Sequence, residues 1–447
     1  MENHDYLTQK KPLTALMIFA APIILGNIVQ QLYTIADSAI VGRCVSEQAL
    51  AAIGACNALT NVFICIAIGA GIGASVLVSH CFGAHAYGPM KVSALTSMLS
   101  FLLLSFGLGA FGWLCSRQIM ALLQTPADVI DMAVDYLRIY FIGLPFLFMY
   151  NVLSAMFNAI GKSRIPLYFL IFSSVLNVLL DLYFVIGLGW AVKGVAWATL
   201  IAQGVSALAS FGVFWRILQR LCPKGGPVFA WASFRQMVRL ALPSILQQST
   251  VSIGMMLVQS VVNGFGSETL AGFSAAMRIE SICVIPLSSI ATAVSSYTAQ
   301  NLGAQKPERV PQGYRAANWM AIFFAALICV LMVGFGRPLA VLFLGPEGTP
   351  TAMHTALSYF RFSGWFFTLI GLKMAVDGIL RGSGDMTMFT IANLANLSVR
   401  VVLAVLLAPR FGVAWVWYAV PLGWLVNFLI SFAEYRTGKW RSKLPAA

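Results

Sequence analysis

The chain has 447 residues, of which 59% are hydrophobic and only 10% charged, and its mean hydropathy is +0.84. That leaves too little polar surface to coat a soluble globule of this size, so the composition excludes a soluble enzyme or binding module and requires a membrane protein. Lys and Arg number 28 against 15 Asp and Glu, a formal charge of +13; in a membrane protein basic residues set the orientation of the spans, so this balance does not call for a nucleic-acid partner.

The first dozen residues, MENHDYLTQKKP, are polar and contain acids, and no small-residue cleavage pattern follows, so no removable signal peptide is expected. Apolar windows of about 20 residues then follow almost without pause, starting near Leu13, Leu50, Ser93, Tyr136, Pro166, Trp190, Met237, Leu270, Trp319, Leu357, Met388 and Val413. Strand alternation is absent. Because a bilayer leaves unpaired backbone groups unsolvated, these windows predict an all-α polytopic bundle of about twelve transmembrane helices. Counting the amino terminus as loop zero, the even-numbered loops and both termini carry 18 of the basic residues, while the odd-numbered loops carry five: Arg43, Arg117, Lys193, Arg337 and Arg410. Both termini are therefore expected in the cytoplasm of a cell-membrane protein.

The spans fall into two copies of one half. AAP at Ala20–Pro22 recurs as ALP at Ala241–Pro243, CFGAHA from Cys81 recurs as NLGAQK from Asn301, and GVAW from Gly194 returns at Gly412, each displaced by nearly the same amount, close to half the chain. Unrelated matches would not share one offset, so the chain reads as six spans plus six, residues 1–222 and 223–447, with a linker at about 216–235 that contains the turn-like CPKGGP. An even number of spans per half gives parallel repeats, the architecture of alternating-access transporters with a site near mid-membrane.

Ionised groups at mid-depth cost about 2.5 to 3.5 kcal/mol each, which makes every acid inside a span a functional candidate. Asp37, Asp181, Glu280 and Asp377 are the acids well inside spans. In the first half, Gln30, Tyr33 and Asp37 share one helix face at spacings of three and four; so do Asn177 and Asp181 on the fifth span, Asn151, Ser154 and Asn158 on the fourth, and Thr199 and Gln203 on the sixth. Converged, these faces would form a site of two carboxylates with amide and hydroxyl oxygens, suited to a dehydrated cation such as Na+ or to a shared proton. The plainer alternative, separate polar residues each bonded to a neighbouring helix, stays open at this point. In the second half Lys373 stands four residues before Asp377 and invites an internal ion pair, Glu280 and Arg278 point to different faces, and Arg361 and Arg400 add positive charge. Eight scattered cysteines without a C-x-x-C pair read as packing residues. No nucleotide loop, nucleophile elbow or metal-ligand cluster occurs, so no cofactor and no enzymatic activity are expected and energy must come from an ion gradient.

YTIADSAIVGR in the first span, GACNALTNVFICIAIGAGIGASVLVSHCFGA in the second, FNAIGKSRIP after the fourth and LNVLLDLYFVIGLGWAVKGVAWAT across the fifth and sixth, together with the duplication, resemble the bacterial branch of the multidrug and toxic compound extrusion (MATE) family over essentially the whole chain. The resemblance implies that Asp37, Asn177, Asp181 and Thr199 hold the coupling Na+ or H+, and that Pro22, fifteen residues before Asp37, lets the first helix bend. Ser154 stands where some relatives have an asparagine, the seventh-span glutamate of others is missing, and Asp377 is similar to a tenth-span aspartate of that second group. The function expected is a secondary antiporter that exports organic, often cationic, amphipathic compounds in exchange for Na+ or H+, working as a monomer in the lipid bilayer. A lipid-linked saccharide flippase of the same superfamily is the rival reading, and an intramembrane enzyme, which would need paired Asp-rich motifs, a distant third.

Overall fold

The computed structural model describes residues 5–44, 47–222, 225–346 and 348–442; Pro223, Lys224 and Lys443, used above to read the linker and the topology, lie outside them, as do the side chains of Arg43 and Cys44. Among the described residues there is no strand, and twelve helices are long and apolar enough to cross a membrane. In chain order they are α1 (Pro12–Cys44), α2 (Glu47–Gly83), α3 (Tyr87–Leu122), α4 (Ile130–Ala159), α5 (Arg164–Asp181), α6 (Ala191–Leu221), α7 (Trp231–Asn263), α8 (Ser267–Gly303), α9 (Arg309–Cys329), α10 (Pro350–Gly382, with a 3-10 turn at Gly364–Phe366), α11 (Met386–Phe411) and α12 (Ala414–Thr437). A four-residue helix at Tyr6–Gln9 and a short one at Gly336–Leu344 complete the set.

Every apolar window of the sequence has become one helix, because in hydrocarbon each backbone N–H must be satisfied within its own segment. The fifth window differs in detail, as does the ninth, which also ends in a π turn at Val330–Gly334. The sequence reads as uniformly helical from Pro166 to Leu188, but the winding loosens to a π turn at Leu182–Gly187, directly after Asp181. Such bulges recur at functional sites because they rotate the side chains that follow. Around Pro22 the backbone of α1 stays helical on both sides.

The duplication also shows in backbone conformation. His85 and Gln305, at equivalent points of the two halves, are both non-glycine residues at φ 56, and the turns around them match, with Ala86 N–H bonded to Cys81 O at 3.0 Å and Lys306 N–H to Asn301 O at 2.8 Å. Gly161 (φ 77) and Gly384 (φ 78) close the next pair of turns, where Lys162 N–H reaches Phe157 O and Asp385 N–H reaches Leu380 O, both at 2.8 Å.

By packing, the chain divides into two compact units, one of residues Leu25–Ile245 and the other joining Met1–Ile24 to Leu246–Ala447. These units are offset from the repeat halves: the opening segments of α1 and α7 each belong to the unit opposite the rest of their helix. Small residues make this packing close. In the 25–245 unit, a methyl group on Gly73 would lie 2.3 Å from the Ala241 backbone of α7; in the other unit, one on Gly382 of α10 would lie 2.2 Å from the Ser295 carbonyl of α8. Glycine at both places lets helix backbones approach as membrane packing demands.

Candidate functional site

In the 25–245 unit α5 and α6 are antiparallel neighbours, so Thr199, near the start of α6, lies beside the end of α5, where Asn177 is 3% exposed and Asp181 fully buried. The Asn177 carboxamide is oriented by matching donors to acceptors. Its Nδ2 donates to Asp181 Oδ2 (2.7 Å) and to the Tyr33 hydroxyl (3.2 Å), and its Oδ1 accepts from Thr199 Oγ1 (3.2 Å) and from the Thr199 backbone N–H (3.1 Å). From α1, one turn after Tyr33, comes Asp37, whose carboxyl shares a hydrogen bond with that of Asp181. The Tyr33 hydroxyl also lies close to Thr199.

Three helices thus bring two carboxyls, an amide and two hydroxyls into one group. Asp37 Oδ1 and Asp181 Oδ1 are both buried without a hydrogen-bond partner, and among the described residues no basic side chain pairs with either acid. Two carboxyl groups can share a hydrogen bond only while a proton lies between them; remove it, and the repulsion needs a cation in its place. The donor set is all oxygen, as a hard cation prefers. The arrangement therefore fits either occupant by its chemistry.

The fourth span contributes a different surface from the one its polar stripe suggested. Asn151 Nδ2 donates to Leu147 O of its own helix at 2.8 Å, Ser154 is hydrogen-bonded to Tyr150, and Asn158 Oδ1 is buried without a partner. None of the three is bonded to the acid group. Tyr136 is the α4 residue near both Asp37 and Asp181, and Asn151 lies some four helical turns, about 22 Å, further along. Tyr136 and Tyr140 face Thr199 and Gln203 across a cavity of about 20 Å³, enough for one water molecule. A spacing of four between tyrosines near the start of the span was the available signal for these residues.

The other unit holds its buried charges differently. Lys373 Nζ meets Asp377 Oδ2 at 2.8 Å and donates to Asn393 Oδ1 at 3.1 Å, while Ser431 Oγ donates to Asp377 Oδ1 at 2.7 Å. Glu280 accepts from the Tyr359 hydroxyl of α10 and lies near Arg400 of α11. Asp377 is thus paired with Lys373 and Glu280 lies near Arg400, whereas Asp37 and Asp181 have no basic partner among the described residues.

The described fold defines a polytopic helical membrane protein, with a buried acid pair on α1 and α5. The MatE family model matches the chain twice, at residues 22–183 and 243–406, so that each repeat half carries one match beginning at the corresponding proline. The chain belongs to that family, and it is a membrane transporter rather than an enzyme. It is 30% identical to a probable multidrug resistance protein, YpnP, of Bacillus subtilis over 446 residues, covering 99% of this chain and 98% of the relative. A second Bacillus subtilis protein, the probable multidrug resistance protein YoeA, is 26% identical over 98% of this chain and 97% of its own. The fold superposes on a MOP superfamily transporter from Pyrococcus furiosus with a TM-score of 0.90 at 23% identity, over 98% of both chains.

Proposed function

We propose that the protein is a secondary multidrug efflux antiporter, exporting organic, often cationic, amphipathic compounds in exchange for Na+ or H+ by alternating access. The observation that carries this reading is the acid pair Asp37–Asp181, buried together with no basic partner among the described residues and with an oxygen-only donor set. Such a pair changes charge when it takes up a proton or a cation, and that change is what couples an ion gradient to a conformational equilibrium. Pro22 removes one helical hydrogen bond from α1, the helix that carries Asp37, and so gives it a place to bend. The multidrug resistance names of the two Bacillus relatives supply the substrate class.

Transport of a fluorescent organic cation in proteoliposomes, under imposed Na+ and pH gradients separately, tests the proposal. Uphill movement driven by at least one gradient is expected. Movement that only follows the substrate's own gradient, whichever ion is imposed, would reject antiport.

The basic loops support an orientation with both termini and the linker in the cytoplasm. Cys222 is a poor reporter of it, since it is only 7% exposed and burial pushes its thiol up, against the opposing influence of Lys91. Val228, 59% exposed in the same linker, is the better site. In a background free of other cysteines, Val228→Cys is expected to resist a membrane-impermeant maleimide in intact cells and to react once the cells are opened. Labelling in intact cells would reverse the orientation.

A further inference from the structure

The unit that joins Met1–Ile24 to Leu246–Ala447 contains a cavity of about 380 Å³ between the first half of α10 and the start of α12, lined by His354, Leu357, Ser358, Arg361, Phe362 and Tyr418. The size lies within the range of small-molecule sites. Five of these residues come from α10 at spacings of three and four, so one helix face presents an imidazole, a hydroxyl and a guanidinium in a row. The floor is aromatic: the Phe362 and Tyr418 rings stand 4.4 Å apart between centroids at 50°.

Arg361 makes this face unusual. It is the twelfth residue of α10, four residues after Leu357, where the apolar window of this span begins. The residues on either side of it in the chain turn inward or stay half-buried, yet Arg361 and His354 are both exposed. Among the described residues neither forms an ion pair or a hydrogen bond. An unpaired guanidinium on the wall of a cavity can take an anion that enters it, and its planar fork suits the two oxygens of a carboxylate or phosphate.

We infer that this cavity is a binding site for an amphipathic organic anion, a carboxylate or phosphate on an aromatic or apolar body, with Arg361 clasping the anionic head, His354 and Ser358 beside it and Phe362 and Tyr418 holding the body. The site is separate from the acid pair, in another packing unit, and gives the protein a second ligand class whatever ion drives transport. Carboxylate-bearing drugs and the phosphate of an anionic lipid share this chemistry.

Equilibrium dialysis of 1-naphthoate against the purified full-length protein tests the inference, with 1-naphthylmethylammonium as the same ring carrying the opposite charge. Native mass spectrometry of protein released from phosphatidylglycerol-containing nanodiscs counts retained lipid in parallel. Naphthoate is expected to bind in preference to the cation, Arg361→Gln to weaken it by about tenfold or more, as loss of a charge-assisted contact implies, and Arg361→Lys to fall between. Ser358→Phe, which fills the cavity while keeping every charge, should weaken it too and guards against reading a folding defect as lost binding. Lipid retention that depends on Arg361, without naphthoate binding, would identify the lipid phosphate as the occupant and still support the site. Binding of naphthoate and lipid that is equal in the native protein, Arg361→Gln and Ser358→Phe, or a preference for the cation, would overturn it.

Discussion

Asp181→Asn is expected to collapse gradient-driven export to passive equilibration while leaving the purified protein folded. One charge moved through 100 mV is worth about 2.3 kcal/mol, enough to hold a concentration ratio of about fifty, so the accumulation ratio in proteoliposomes should drop from that order to one. The amide preserves the shape of the side chain and can still accept from its neighbours. What it loses is charge: Asp37 then faces a neutral group, its own carboxylate no longer has a partner to repel, and uptake of a proton or cation no longer relieves anything. Substrate binding measured without a gradient should remain close to native, which separates loss of coupling from loss of the binding site. Asp37→Asn should behave alike, because the hydrogen bond between the two carboxyls makes them one titrating unit. If Asp181→Asn still pumps substrate uphill at the native rate under the same gradient, the aspartate is only a structural residue and the coupling proposal fails.

The second large effect is on stability, at the pair in the other unit. Lys373 and Asp377 are 9% and 8% exposed at their side chains and lie 2.8 Å apart. Asp377→Ala leaves the buried ammonium with Asn393 alone, and removing one partner of a buried ion pair costs about 3 to 5 kcal/mol. The detergent-solubilised protein should accordingly unfold at a clearly lower temperature. Replacing both residues together, Lys373→Met with Asp377→Leu, removes the uncompensated charge as well as the pair, and such swaps are commonly neutral or stabilising. The double variant should regain most of the lost stability and keep ion-driven export, since this pair already carries its own counter-charge. A folded double variant that loses coupling would move part of the ion pathway into this unit.

Much of the fold was legible in the residues themselves. Twelve apolar windows became twelve helices because hydrocarbon offers the backbone no other partner, and one offset shared by several short matches exposed the duplication that His85 and Gln305 repeat in their backbone angles. The acids stood out for a similar reason: a carboxylate inside a span needs a partner, which singled out Asp37 and Asp181, the latter with Asn177 four residues before it, while Thr199 joined them only through the family resemblance.

Which partners those acids have was decided only in three dimensions. Helix spacing places side chains on a common face but says nothing about depth, so Asn151, Ser154 and Asn158 looked as eligible as any stripe until α4 was seen to present Tyr136 to the acids instead. The same holds for the charges of α8, α10 and α11. In the chain Glu280, Lys373, Asp377 and Arg400 form a loose collection; packing pairs acid with base in this unit, leaves the acid pair of the other uncompensated, and sets Arg361 on the wall of a cavity instead of against a carboxylate. The exchange of the opening segments of α1 and α7 between packing units was equally hidden, because a residue's periodicity fixes which face it occupies on its own helix, and only the approach of another backbone decides what that face meets.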